Sequence, residues 1–411
     1  MSQQKQQELA FKKEINLLRN DYYYQYCGEI FSPHSSMIDG YYRPLEILSG
    51  DTYSIRKLSP SHTFYLLVNA LGTGVAASVT AITLTSFINY AIDKILASKS
   101  DFDMRLFIEE ILFFIKPILL EDETLSAHFI TCDTQNNTIT YASFNMPSLF
   151  LCDYENNLLK LPSNNGSINK KSASFKVDVM HIPEIKKVLI YSDGLVENKI
   201  KNSDNCYGKY IDEDFIQSFS RDDMETKVEN RLDEQTDDIT FIFLNKMDFE
   251  KKLVAFLKIE SSLQAVEEAQ IWQENVIGNI INNQDFIEKC NYPFRELLLN
   301  AFEHGNLGIS NSDKHNAIAN GDYWDMIEQL EKDCDKSIDI AIYTVHHLKN
   351  DYIITTITDE GEGFDTSVLR DILFKKENFN GRGVFISKRF SNGIYYNSIG
   401  NSILIINKID S

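Results

Sequence analysis

The sequence predicts an α+β protein built from two layered domains, and three observations carry that reading. At 411 residues the chain exceeds one ordinary core, given roughly 150 residues per domain. From residue 41 to about 245, apolar runs of strand length alternate with turn residues around two long apolar stretches of helix length. After a polar break at 245–252, a second set of helices and strands begins.

Residues 4–25 read as one polar helix in which Phe11, Ile15, Leu18 and Tyr22 are spaced four, three and four apart. That seam suits a helix packed on the next domain. It equally suits a short coiled coil that forms a homodimer or carries an upstream signal. Next, 64–69 is a short strand, 75–97 a helix apolar nearly all round, and 102–120 a second helix. A meander follows over 127–133, 138–144, 149–154 and 158–161, with an Asn136-Asn137 turn. Strands at 188–191 and 239–244 bracket a charged, helical stretch. Strand runs with helices on their outer faces define a layered α+β domain.

The second domain reads as a strand at 253–259, helices at 263–277 and 286–304, and a further helix at 322–334. Strands at 338–345 and 352–358, a helix at 384–390 and strands at 394–397 and 402–407 complete it. The boundaries are therefore 1–29 for the N-terminal helix, 30–246 for the first domain and 250–411 for the second.

Apolar residues make up 43% of the chain, a globular fraction that leaves no long stretch disordered. A net charge of −20 argues against nucleic acid, which needs clustered cations, and against anionic membranes. Carboxylates can instead hold Mg²⁺ or Mn²⁺. Six cysteines are scattered without a C-x-x-C pair, Cys132 and Cys152 lie in strand-like runs, and a reducing cytoplasm is expected. Neither a signal-peptide core nor a stretch of about 18 uncharged apolar residues is expected to interrupt this soluble pattern.

Residues 296–306 read ELLLNAFEHGN, and on a helix Glu296, Asn300 and His304 share one face. An amide beside a carboxylate suits a hard cation that bridges triphosphate oxygens. Downstream, 357–365 read ITDEGEGFD: Gly361 and Gly363 permit a sharp turn, and Asp359 at a strand end is a fixed acceptor for an exocyclic amine. A third element places Gly381 and Gly383 just before a helix, where backbone N–H groups would face phosphates.

In that order and spacing, the three elements make residues 250–411 resemble the GHKL ATPase superfamily, in its anti-sigma-factor serine kinases. The resemblance implies a Bergerat-type sandwich that binds ATP, with Asn300 on Mg²⁺, Asp359 on the adenine amine and Glu296 as general base for a protein hydroxyl. It further implies nucleotide-binding glycines at 361, 363, 381 and 383, and a STAS-domain antagonist or a sigma factor as partner. No phosphoacceptor-histidine helix precedes the domain, which disfavours a histidine kinase. The insertion at 307–335 departs from the simplest members.

In the first domain, LSGDTY at 48–53, VNALGTGVAA at 68–77, YSDGLVE at 191–197 and TDDIT at 236–240 set Asp51, Asp193 and Asp237 at strand ends or turns. Carboxylates converging from strand ends can hold two cations about 4 Å apart that activate water. These elements resemble the metal-dependent PPM phosphatases in their SpoIIE-type branch, and Tyr42-Arg43-Pro44 resembles the branch's entry strand. The resemblance implies metal positions at Asp51, Asp193, Gly194 and Asp237. Two departures stand out: Asn69 replaces the aspartate that bridges both metals, and Thr73 alters the glycine turn. An amide offers one neutral oxygen and cannot supply a bridging charge.

Three whole-chain readings follow. The first is a partner-switching regulator with a kinase domain and a weak or degenerate phosphatase domain. The second is a non-catalytic scaffold that sequesters a sigma factor or antagonist, and the third a metal-dependent phosphatase gated by ATP.

Overall fold

In the strand His62–Ala70, Phe64, Leu66 and Val68 point to one face while Tyr65 and Leu67 point to the other, and all five are buried. A sheet buried on both faces must be covered on both sides, and this requirement organises the first of two units. The computed structural model describes residues 3–32, 34–71, 74–182, 185–369 and 382–409. One unit comprises Met1–Tyr22 and Ile38–Lys246, the other Tyr23–Met37 and Met247–Ser411.

The first unit holds a six-stranded sheet in the order Arg19–Asn20, Asp51–Lys57, His62–Ala70, Leu125–Asp133, Thr138–Phe144, Asp178–His181. Helices Val75–Ser98 and Met104–Ile115 pack Leu84, Ile88, Phe107 and Ile111 onto Phe64, Leu66 and Phe129. Asp103 starts the second helix by accepting the Leu106 N–H at 3.0 Å, so it begins later than expected. A second sheet follows the order Ser36–Arg43, Ile239–Lys246, Ile185–Tyr191, Leu149–Asp153, Leu158–Leu161. Helices Ile211–Gln217 and Arg221–Arg231 bring Phe215, Met224 and Val228 onto its Phe150, Tyr191, Phe241 and Phe243.

Contrary to the sequence expectation, Val75–Ser98 is long and apolar enough to cross a membrane. More than half of its apolar window is buried inside the protein, as in a core helix. The N-terminal helix also differs from expectation, spanning Gln3–Leu17 rather than 4–25. Beyond it, Arg19 and Asn20 pair in parallel with Ser54 and Ile55, and the Asn20 side chain accepts the Tyr22 N–H at 2.9 Å. Sheet pairing plus this turn overrides the helical periodicity. Ile15, Leu18 and Tyr22, offered above as a dimer seam, are buried within the chain, and Tyr22 Oη meets Thr63 Oγ1 at 2.8 Å.

In the second unit the strands run Lys251–Glu260, Ser337–His347, Asn350–Asp359, Ser402–Lys408, Gly393–Tyr396, Gln25–Cys27. All neighbours are antiparallel except the last pair, where Tyr396 aligns with Gln25 in parallel. Helices Leu263–Ile280 and Gln284–Asn300 set Val266, Ala269, Phe294, Leu297 and Leu298 against Ile338, Ile340, Ile357 and Ile405. The inserted stretch contains the expected helix, at Tyr323–Lys332, and an unexpected one, Asn311–Asn320, started by a Ser310/Asp313 capping box.

Lys187 is wholly buried, and its ammonium donates to the carbonyls of Ile216 and Ser218 at the end of helix Ile211–Gln217. Burial lowers its pKa to about 7. A folded pKa below the unfolded one means that the cost of burying the charge is full below about pH 7 and fades as pH rises toward the ordinary lysine value. From pH 7 to 9 the wild type should therefore gain up to about 2 kcal/mol of stability relative to Lys187→Met. Denaturant midpoints at both pH values check this, and parallel pH dependences would refute it.

Candidate functional site

The helix Gln284–Asn300, started by the Asn283 side chain on the Phe286 N–H, buries Phe294, Leu297 and Leu298 and leaves Glu296 and Asn300 half-buried on another face. It does not continue as an α-helix to His304. Ala301–Asn306 forms a π-helical turn, a feature frequent at functional sites. The turn closes with Leu307 N–H on the Phe302 carbonyl and Ile309 N–H on the Glu303 carbonyl, both at 2.9 Å.

That turn brings the first two sequence elements together. A β-carbon on Gly305 would stand 2.5 Å from the Asp359 carboxylate, and one on Gly361 would stand 2.3 Å from the Gly305 carbonyl oxygen. At this approach any residue larger than glycine would force the Asp359 carboxylate or the turn to shift. Asp359 ends the strand Asn350–Asp359 and accepts the Gly361 N–H on Oδ1 at 2.8 Å, while Oδ2 has no hydrogen-bond donor among the described residues. Burial raises its pKa to about 6, against the opposing effects of that N–H and of Lys336.

Asn306 locks the arrangement. Its amide donates to Ser261 Oγ at 2.7 Å and to the Ser337 carbonyl at 3.0 Å, and its oxygen accepts the Glu360 N–H at 2.8 Å. Gly363 has φ of 76°, and a β-carbon there would lie 2.1 Å from the Ile399 carbonyl oxygen. Glu296 has its pKa raised by burial, with Lys314 and His304 lowering it and Glu303 raising it. Of the second glycine element, Gly381 lies outside the described residues. Gly383 falls within the helix Arg382–Arg389 rather than before it.

In the first unit, Asp51 opens the strand Asp51–Lys57 directly opposite Asn69. Asp193 opens the short helix Asp193–Glu197 after the strand Ile185–Tyr191, and Asp237 lies just before the strand Ile239–Lys246. Gly194 allows close packing there, since a β-carbon would stand 1.9 Å from the Asp238 carbonyl oxygen. Thr73 lies outside the described residues.

All three carboxyls have raised pKa values, with burial the largest cause in each. The Asp51 pKa is pushed well above the usual range, with Asp238 and Asp193 adding to the effect. For Asp193 the Glu197 charge adds to the rise, and for Asp237 the opposing Asp238 N–H is followed by the charges of Asp193 and Asp238, which add to it. Asp51 Oδ2 is buried without a hydrogen-bond partner, an orphaned acceptor that suits a cation. Two observations oppose a metal pair. The Asn69 amide donates to Asp193 Oδ1, the oxygen that also accepts the Gly194 N–H. Among the described residues, moreover, no three His, Cys, Asp or Glu side chains form a group that could hold an ion. As placed, these residues do not fit a bridged cation pair.

Several residues were missed by the sequence reading. Asp238 accepts the N–H groups of Leu45 and Gly50 at 2.7 and 2.8 Å and so fixes the turn that leads to Asp51. Glu14, from the N-terminal helix, accepts the Ser49 N–H at 2.9 Å. The Asn198 side chain accepts from Thr236 N–H and donates to the Gly194 carbonyl, tying two acidic segments together. Only the doubled Asp237-Asp238 left a visible signal.

Residues 59–246 match the family model described as Stage II sporulation protein E (SpoIIE), a stretch just under half of the chain. A search of curated proteins finds no match. Among solved structures, the RsbU and RsbW domains of Rv1364c from Mycobacterium tuberculosis are similar at 14% identity and a TM-score of 0.43, over 92% of this chain and 96% of that one. The SiaA-PP2C domain of Pseudomonas aeruginosa gives 14% and 0.45, over 59% of this chain and 96% of that one. The PP2C phosphatase domain and a fragment of the regulatory domain of the cell fate determinant SpoIIE from Bacillus subtilis give 17% and 0.42, over 51% and 63%. Scores this low transfer no function.

Gly305→Ala tests the contact between turn and carboxylate. Its methyl would displace Asp359 or open the turn, at a cost of about 1–3 kcal/mol for such overpacking. A lowered melting transition is expected, and an unchanged one would mean that the contact is slack.

Proposed function

We propose that the chain is a partner-switching regulator whose second unit binds Mg-ATP and phosphorylates a Ser or Thr of a small STAS-domain antagonist. The observation that carries this reading is the seating of Gly305 on Asp359. It joins the helix bearing Glu296 and Asn300 to the glycine turn at 361–363. Asp359 Oδ2 would accept the adenine amine, and Asn300 would hold the metal beside the phosphates. Bound Mg²⁺ supplies charge neutralisation for phosphoryl transfer. Glu296 would take the proton of the attacking hydroxyl, and burial raises its proton affinity in the direction a base working near neutral pH requires.

On this reading the first unit is a weak or degenerate phosphatase for the same partner, which gates the kinase rather than opposing it with full turnover. The amide of Asn69 on Asp193 supports that view. A second reading, a Mn²⁺-dependent serine phosphatase gated by ATP, draws support from the family match over 59–246. The partner would be a cytoplasmic protein of an anti-sigma cascade, with a sigma factor as a further binding candidate.

Two outcomes are expected. With labelled ATP and STAS proteins from the same genome, the wild type transfers phosphate, while Glu296→Gln still binds ATP but loses transfer about 100-fold or more. Equal transfer by both would remove Glu296 from the mechanism, and absence of nucleotide binding by the wild type in millimolar Mg²⁺ would end the kinase reading. For the first unit, Asn69→Asp restores a carboxylate of nearly the same size. It should gain Mn²⁺-dependent turnover of a phosphorylated partner over a nearly inactive wild type. Robust wild-type turnover that the variant does not improve would overturn the degenerate-phosphatase view.

A further inference from the structure

We propose that Lys314, carried by the inserted helix Asn311–Asn320, is a phosphate-binding residue of the nucleotide site. The inference rests on the kinase reading above and adds to it a cation contributed by the insertion.

Glu296 and Asn300 lie one turn apart and half-buried on the helix, and Glu303 follows in the π turn. Glu303 is fully buried, and both of its oxygens are taken by the insertion: Tyr323 Oη donates to Oε1, and Lys314 Nζ donates to Oε2. The Lys314 side chain nevertheless stays 28% exposed. An ammonium has three donors, so two remain for a second acceptor. The charge of Lys314 also opposes the rise that burial gives the Glu296 pKa. Between the two glutamates in sequence stands Asn300.

Asp359 lies under Gly305, nine positions beyond Glu296 along the helix and the π turn. A ligand with its base on Asp359 would lay its phosphate chain along the Asn300 stretch. Lys314 would meet it there, held by Glu303 as a preformed cation.

The test is calorimetry with Mg-ATP and NMR titration with adenosine, both on the full chain. Lys314→Met should weaken Mg-ATP about tenfold or more, leave adenosine within about twofold, and be rescued by Lys314→Arg. Glu303→Gln retains the ammonium and should keep Mg-ATP affinity within a few-fold, which separates the charge from the latch. Equal weakening of both ligands, no weakening of either, or a Glu303→Gln loss as large as that of Lys314→Met would overturn the assignment. If the wild type binds adenosine and Mg-ATP equally, Lys314 is not a phosphate ligand; if it binds neither, the kinase reading itself falls and this inference with it.

Discussion

The Asp359 carboxylate occupies space that any side chain at position 305 would need, and the architecture of the second unit follows from that exclusion. For the helix to come so close to the strand end, its last turn must widen and its residue at the contact must lack a β-carbon. Asn306 then bonds to three separate segments, at Ser261, Ser337 and Glu360. Each bond engages a backbone or hydroxyl group next to a strand end. The acid itself is held by one peptide N–H from Gly361, and its other oxygen has no donor among the described residues.

The acidic cluster of the first unit is held on different terms. Burial raises the proton affinity of Asp51, Asp193 and Asp237, and neighbouring carboxylates raise it further: Asp238 and Asp193 for Asp51 and Asp237, and Glu197 for Asp193. Like charges under a low dielectric are costly unless a cation or donors intervene. Here donors intervene: the amide of Asn69 and the peptide N–H of Gly194 on Asp193, and the N–H of Asp238 on Asp237. Asp238 and Asn198 fix the flanking turns, and one oxygen of Asp193 is engaged by an amide.

Much of this was legible from residue order. The helices at 75–97 and 263–277 and the meander from 127 to 161 announced themselves because burial on one or both faces imposes a strict period. The N-terminal turn was not legible, since parallel pairing of Arg19 and Asn20 with a strand thirty-odd residues away is a tertiary event without local signature. The capping box at Ser310 and Asp313 was readable, but the inserted stretch was read as holding the later helix alone. Glu14 and Glu303 were invisible for a different reason. A buried glutamate looks like any surface glutamate until its partners, Ser49 in one case and Lys314 with Tyr323 in the other, are known.

The π turn also ties chain length to direction. A helix that spends an extra residue within a turn is rotated, beyond that point, by about 100° relative to its α-helical continuation. Removing a single residue between 301 and 306 would mend the hydrogen-bond ladder and make a more regular helix. The same deletion would swing Asn306 away from Ser261 and present another side chain to Asp359. Local regularity and the seating of Gly305 on Asp359 are therefore in conflict in this segment, and relatives of this chain that keep this contact should conserve the residue count of the segment more strictly than its composition.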